Sequence, residues 1–268
     1  MMPEAVDTAA RIVAQNRRGR IRLERLPEDC QPADPDAAYT VQGRANAMLT
    51  ESGLGDTVGW KIGCTTPVMQ EYMNIHEPAY GEVFQPTLFH KHVKIRHADY
   101  VEPGVEAEIA VTLAADLPAQ GPGNGKRWTR ESVTDAVGGV MASIELVDAR
   151  YADFRTFDTP TLVADNFFNA AVVLGEPNQD WRDIDLAAVT GRMTINGNTI
   201  GEGAGSLIMG HPFEALAWLA NRVGDFGRHL KAGEFVTLGS VVATRWIQRC
   251  DRVTVDVDGL GSVGIEFD

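Results

Sequence analysis

With 268 residues, 44% apolar and 23% charged, the chain has length for one large domain or two modest ones and is too apolar to be intrinsically disordered. Its formal net charge of −13 argues against a nucleic-acid partner, since a phosphate backbone is held by a basic face. No apolar run reaches the roughly 18 residues of a membrane span, and MMPEAVDTAARIVAQNRRGR lacks the apolar block of a secretory signal.

The first fifty residues predict helices. Val6, Ala9, Ile12 and Val13 recur at helical spacing in PEAVDTAARIVAQNRR, and DPDAAYTVQGRANAMLTES repeats the pattern behind the helix start Asp34-Pro35-Asp36. RLPEDCQPADPD connects them. Cys30 lies in that connector; with Cys64 and Cys250 it forms neither a zinc pattern nor a disulfide framework, so a reducing cytoplasm is expected. From residue 57 short β-rich runs follow: TVGWKIGC, HVKIR, EAEIAVTLAA, GGVMASIELVDA, AAVVLG, GRMTINGNTI, EFVTLGS, DRVTVDVDG and GSVGIEF. One amphipathic helix interrupts them, HPFEALAWLANRVGDFG, with Gly227 as its stop and Trp218 in core or subunit contact. Many strands and few alternating helices predict an α+β fold, not a doubly wound parallel sheet. The Gly- and Pro-rich segment 117–128 predicts a mobile loop, and Gly201–Gly205 a close-packed turn.

Two acids stand out in GVEAEIA. Glu106 and Glu108 share one strand face while Val105, Ala107 and Ile109 share the other. Spacing alone leaves two explanations open. The commoner is a solvated strand face; the other is a buried pair, whose repulsion and desolvation demand a cation. Glu145, between Ile144 and Leu146, is a third acid in similar surroundings, and three carboxylates suit a hard dication such as Mg²⁺ or Mn²⁺. Lys61 taken alone reads as a strand-end lysine with its head in solvent. His90 and His92 read as surface histidines for want of further zinc ligands, and no serine sits in a nucleophile elbow.

The segments GWKIGCTTPVMQEYMNIHEPAYGEVF, PGVEAEIAVTL, ASIELVDAR, VADNFFNAAVVLG, GHPFEALAWLANRV, LKAGEFVTLGS and GLGSVGIEF, in this order, resemble one family. It is the 2-keto-4-pentenoate hydratase and 4-oxalocrotonate decarboxylase family of the fumarylacetoacetate hydrolase superfamily. The resemblance implies a mixed, strand-rich β roll with flanking helices: residues 1–55 a helical region, residues 56–268 the catalytic domain, together one compact unit. It implies that Glu106, Glu108 and Glu145 bind Mg²⁺ or Mn²⁺, and that Lys61 and Asp165 handle a 2-oxo acid substrate or its protons. Cys64, Asn169, Gly239 and Ser240 are implied as substrate contacts. It further implies a cytoplasmic homo-oligomer, pentameric or decameric, that hydrates a 2-hydroxy-2,4-dienoate in aromatic-ring catabolism.

Two stretches depart from the family pattern. Where many hydratases read E-P-D-Y-G, this chain has Ala79, and where many read A-D-N-A-S-S it has Phe167, Phe168 and Asn169. These exchanges remove polar groups and predict a more apolar substrate pocket, with Asn169 offering a replacement hydrogen bond. They also keep three rivals in view: a 4-oxalocrotonate-type decarboxylase, an acylpyruvate hydrolase, and a metal-binding scaffold without activity that partners a related enzyme. Asp165 reads equally well as a turn cap, and Asp148 with Arg150 as an ion pair or an outer shell of the site.

Overall fold

The computed structural model describes residues 1–73, 75–120 and 126–268, without the side chains of Val68 and Tyr72. Residues 121–125 of the predicted 117–128 loop lie outside the described residues. Helix α1 (Pro3–Gly19) buries Ala9, Ala10, Val13 and Ala14. Helix α2 (Pro35–Leu49) starts as its sequence suggests: the Asp34 carboxylate accepts the Ala37 N–H at 2.8 Å, satisfying a donor the first turn would otherwise strand. A π-helical turn, Thr50–Leu54, carries the chain out of it.

The body follows as β1 (Thr57–Gly63), α3 (Pro67–Met73), β2 (Ala79–Phe84), β3 (Leu88–His90), β4 (His92–Ile95), β5 (Pro103–Leu113), α4 (Arg130–Val133) and β6 (Val137–Asp148). Then come α5 (Thr159–Ala164), β7 (Asn169–Leu174), β8 (Thr190–Ile195), β9 (Asn198–Ala204), α6 (Pro212–Asp225), β10 (Phe235–Trp246), β11 (Arg252–Val257) and β12 (Gly261–Phe267). A seven-stranded sheet runs β2-β1-β10-β5-β6-β7-β3 and a five-stranded sheet β4-β12-β11-β8-β9. Both are mixed: β1–β10, β3–β7 and β12–β4 pair parallel and the other neighbours antiparallel. The α+β expectation holds. Among the described residues, no helix is long and apolar enough to cross a membrane.

The larger sheet has two buried faces of different character. On the outer one, Val105, Ala107, Ile109, Ile144 and Leu146 join Val253, Val255 and Val263 of the smaller sheet in a common core that also takes in Ala9 and Val13. The inner face curls, bringing β2 against β7. Inside, Val83, Ala110, Met141, Val172, Leu174 and Phe235 pack into a separate apolar plug. Each full-sized member contributes about 1.5–3 kcal/mol by leaving water.

Two side-chain amides stitch the seam between β2 and the chain that leads into β7. Gln42 donates to Tyr80 O at 3.0 Å and to Val163 O at 2.8 Å. Asn166 donates to Glu82 O at 2.6 Å and accepts the Glu82 N–H at 2.8 Å, as a strand neighbour would. These bonds tie β2 to the segment that leads into β7.

The Gly201–Gly205 stretch is a correction. Most of it is strand β9, not a turn. The close packing is real, since a Cβ on Gly203 would come within 1.9 Å of Val241 O. His90 and His92 are exposed and lie on separate strands either side of Lys91, whose φ is 62°.

Candidate metal centre

Antiparallel register pairs Glu106 with Glu145 and Glu108 with Ser143, so alternation sends all four side chains into the curled face. One carboxylate oxygen from each glutamate lies within 4.8 Å of the others. Glu108 and Glu145 are fully buried, and Glu106 keeps some exposure. The solvated-face explanation of the E-x-E spacing therefore fails.

Each carboxylate has one oxygen held by the protein. Glu106 accepts the Thr244 hydroxyl, Glu108 the Gly239 N–H at 3.3 Å, and Glu145 the Asn169 amide at 3.0 Å. The other oxygens of Glu108 and Glu145 have no partner, nor has the buried Ser143 hydroxyl. Buried carboxylate oxygens are not left bare without cost. Burial, then the charge on Glu145, pushes the Glu106 carboxyl up to about 7. Burial, followed by Glu145 and Glu106, lifts Glu108 well above the usual carboxylate range.

The cation within reach is Lys61. Its solvated-head reading is overturned: the residue is 1% exposed, and its Nζ lies 3.3 Å from Glu145 Oε1. Three carboxylates against one ammonium leave an excess of two negative charges, which one dication would cancel. The donor set, all hard oxygen, fits Mg²⁺ or Mn²⁺ and not a thiolate-seeking metal.

Lys61 also donates to the carbonyl of Phe167 and stands 4.9 Å from that ring's centroid. The carbonyl faces inward because Asn166, Phe167 and Phe168 are all left-handed, with φ of 60°, 44° and 65°. Each costs roughly 1–2 kcal/mol for a residue with a Cβ. The turn persists because its polar groups are taken up: the Asn166 amide on β2, Phe167 O by Lys61, and Phe168 O by the Asp148 N–H at 2.9 Å.

A family model described as fumarylacetoacetate (FAA) hydrolase C-terminal matches residues 64–267. The chain belongs to the fumarylacetoacetate hydrolase family. Within the family it falls in the hydratase and decarboxylase group. It is 33% identical to a 2-keto-4-pentenoate hydratase of Paraburkholderia phymatum, over 98% of this chain and 97% of that one. It is 37% identical to a 2-hydroxyhexa-2,4-dienoate hydratase of Comamonas testosteroni, over 82% and 81% of the two chains. The structure of 4-oxalocrotonate decarboxylase from Pseudomonas putida G7, complexed with magnesium and adipate, superimposes with a TM-score of 0.91 at 28% identity, covering 100% of this chain and 99% of that one.

The other residues picked out by family resemblance are placed unequally. Asn169 and Gly239 touch the carboxylates. Gly239 cannot be otherwise: its φ is +115°, and a Cβ would meet Thr65 Oγ1 at 2.1 Å. Ser240 turns its hydroxyl to the carbonyls of Ala107 and Val242. The Cys64 thiol is buried and pushed up to about 12, by burial first and Glu106 second, so at neutral pH it is protonated. Asp165 pairs with Arg150, Nε to Oδ2 at 3.1 Å, behind the left-handed turn.

Of the two expectations for Asp148 and Arg150, the mutual ion pair is corrected, while Arg150 does stand behind Asn169, which holds Glu145. Arg150 serves Asp165 and the carbonyl of Asn169 at 3.1 Å, while the Asp148 carboxylate accepts the N–H groups of Val101 and Glu102. Ala79 is buried opposite Gly63. Thr244, Ser143 and the carbonyl of Phe167 are additions that sequence reading missed. Ser143 was within reach, standing two residues before Glu145 on the same face. Thr244 was not, because irregular pairing between Ser240 and Arg245 sets its direction.

Proposed function

We propose that the chain is a divalent-metal-dependent lyase of 2-oxo acids that hydrates a 2-hydroxy-2,4-dienoate to a 4-hydroxy-2-oxo acid. The observation that carries this reading is the set of three inward carboxylates with two bare oxygens beside a buried ammonium. Glu106, Glu108 and Glu145 would hold the cation. Mg²⁺ or Mn²⁺ bound there would supply Lewis acidity to the carboxylate and keto oxygens of a 2-oxo acid, stabilising its enolate form.

The protein's own groups account for the rest. Asn169, Gly239 and Thr244 fix the glutamates in orientation. Lys61, held by Phe167 O, stands where it can offset substrate charge and pass a proton at its Nζ. Asp165 supports the turn that presents Phe167 O and so acts at one remove. Gln42 and Asn166, both buried, tie β2 to the chain before β7 and so hold the left-handed turn in place.

The TM-score of 0.91 to a 4-oxalocrotonate decarboxylase favours a second reading, in which a cation held by the same three glutamates would assist loss of CO₂ from a 2-oxo acid. Purified protein with Mg²⁺ or Mn²⁺ separates them. The first reading expects water addition to 2-hydroxy-2,4-dienoates, lost with a chelator and restored by metal. Turnover of 4-oxalocrotonate alone would replace it with the second. Metal binding without turnover of either would point to a scaffold. A homo-oligomer, pentamer or decamer, is checked by light scattering.

A further inference from the structure

Glu108 and Glu145 are sealed while Glu106 keeps some exposure, so the way in to the carboxylates passes the Glu106 end of β5. Two residues further out on that face is Gly104, and Trp246 lies over it: a Cβ there would come within 2.8 Å of Trp246 Cε3. Trp246 is 42% exposed, one of few large apolar side chains so open.

From Trp246 a chain of rings leads inward. Phe154 follows at 6.2 Å between centroids, then Phe168 at 5.5 Å, then Phe167 at 5.5 Å, ending under Lys61 Nζ at 4.9 Å. The last three contacts are edge-to-face or cation–π; the outermost is tilted by 42°. Of these five residues only Lys61 is charged, and it is occupied beside the carboxylates. Two guanidiniums stand behind the turn: Arg150 is committed to Asp165 and to backbone carbonyls, and Arg17 donates to Asn169 O at 3.0 Å.

We infer that Phe168, Phe154 and Trp246 form a specificity wall for the far end of the substrate, selecting 2-oxo acids with an aryl or other apolar terminus against those ending in a second carboxylate. This rests on the proposal that a 2-oxo acid is gripped at the three glutamates. An aryl tail gains ring faces and edges along the wall. A terminal carboxylate would be desolvated against rings that carry no charge of their own to meet it. The adipate in the related decarboxylase is such a dicarboxylate, so the inference separates this chain from that structure in substrate taste.

The test uses calorimetry on the Mg²⁺-loaded protein with three 2-oxo acids that carry no diene: 2-oxo-4-phenylbutanoate, 2-oxopentanoate and 2-oxoadipate. The phenyl acid is expected to bind roughly tenfold or more tightly than the dicarboxylate, the size of one good aromatic contact plus an avoided desolvation. Trp246→Ala, at an exposed position, and Phe168→Ser should each shrink that ratio to about twofold or threefold. Equal or tighter binding of 2-oxoadipate, or a ratio untouched by Trp246→Ala, overturns the wall. Phenyl preference without turnover of any dienoate leaves the wall standing and removes the proposed reaction. Hydration with a terminal carboxylate preferred does the reverse. No binding of any of the three removes both.

Discussion

Strands β5 and β11 both alternate polar with apolar residues and put that alternation to opposite use. In β11, Asp256 and its neighbours Thr254 and Arg252 are exposed while Val253, Val255 and Val257 are buried, so alternation separates water from core. In β5 alternation separates two buried faces: Val105, Ala107 and Ile109 pack between sheets, and Glu106 and Glu108 point into the curl of the larger one. The pattern of residues along a strand reports which side chains share a face. It does not report what lies opposite. That is decided by β6 supplying Glu145 in register and by the seam at Asn166, both distant in sequence.

Breaking the comparison at its strongest point means Glu108→Gln. Catalysis is expected to fall by about a thousandfold or more, since one of the three carboxylates proposed to hold the metal is lost, while the metal-free protein gains about 1–3 kcal/mol because the cost of burying an ionisable carboxyl without a cation is removed. Enzyme assay and chelator-treated chemical denaturation read the two effects. Next in size is Asn166→Ala, which opens the seam and strands the Glu82 backbone. A loss of about 2–3 kcal/mol is expected in urea denaturation, together with weaker activity as the left-handed turn releases Phe167 O from Lys61.

A smaller effect should appear with pH. The raised Glu106 and Glu108 carboxyls bind more protons in the folded chain than in the unfolded one, so metal-free stability falls as pH rises from the ordinary carboxylate range to about 7. Saturating Mg²⁺ should flatten that slope; a melting temperature that rises with pH in chelator would count against buried, unpaired carboxylates. Asp256→Asn is the counterpart on the wet strand. It should move stability by less than about 0.5 kcal/mol and leave activity alone.

Much of the fold was legible because its signals are local. The Asp34 cap, the apolar stripe of α6 and the alternation in β11 each carry their own physics within a few residues. Strand β2 was not read, because all six of its residues are buried and no polar face marks it. The short helix α5 escaped although Asp158 caps it and Pro160 stands in its first turn, because six residues leave no periodicity to read. At the site, family resemblance singled out the glutamates and Lys61, where residue spacing alone favoured solvent. The Asp165–Arg150 pairing and the role of Thr244 depend on three successive left-handed residues and on irregular strand pairing, neither of which leaves a mark in residue order.

One measurement reaches the centre of the account: titration of the chelator-treated protein with Mn²⁺, followed by electron paramagnetic resonance. One tightly held ion per chain is expected, displaced by Mg²⁺ and lost when Glu108 or Glu145 becomes glutamine. No retained Mn²⁺ in the wild type, or retention undiminished in both variants, would contradict it.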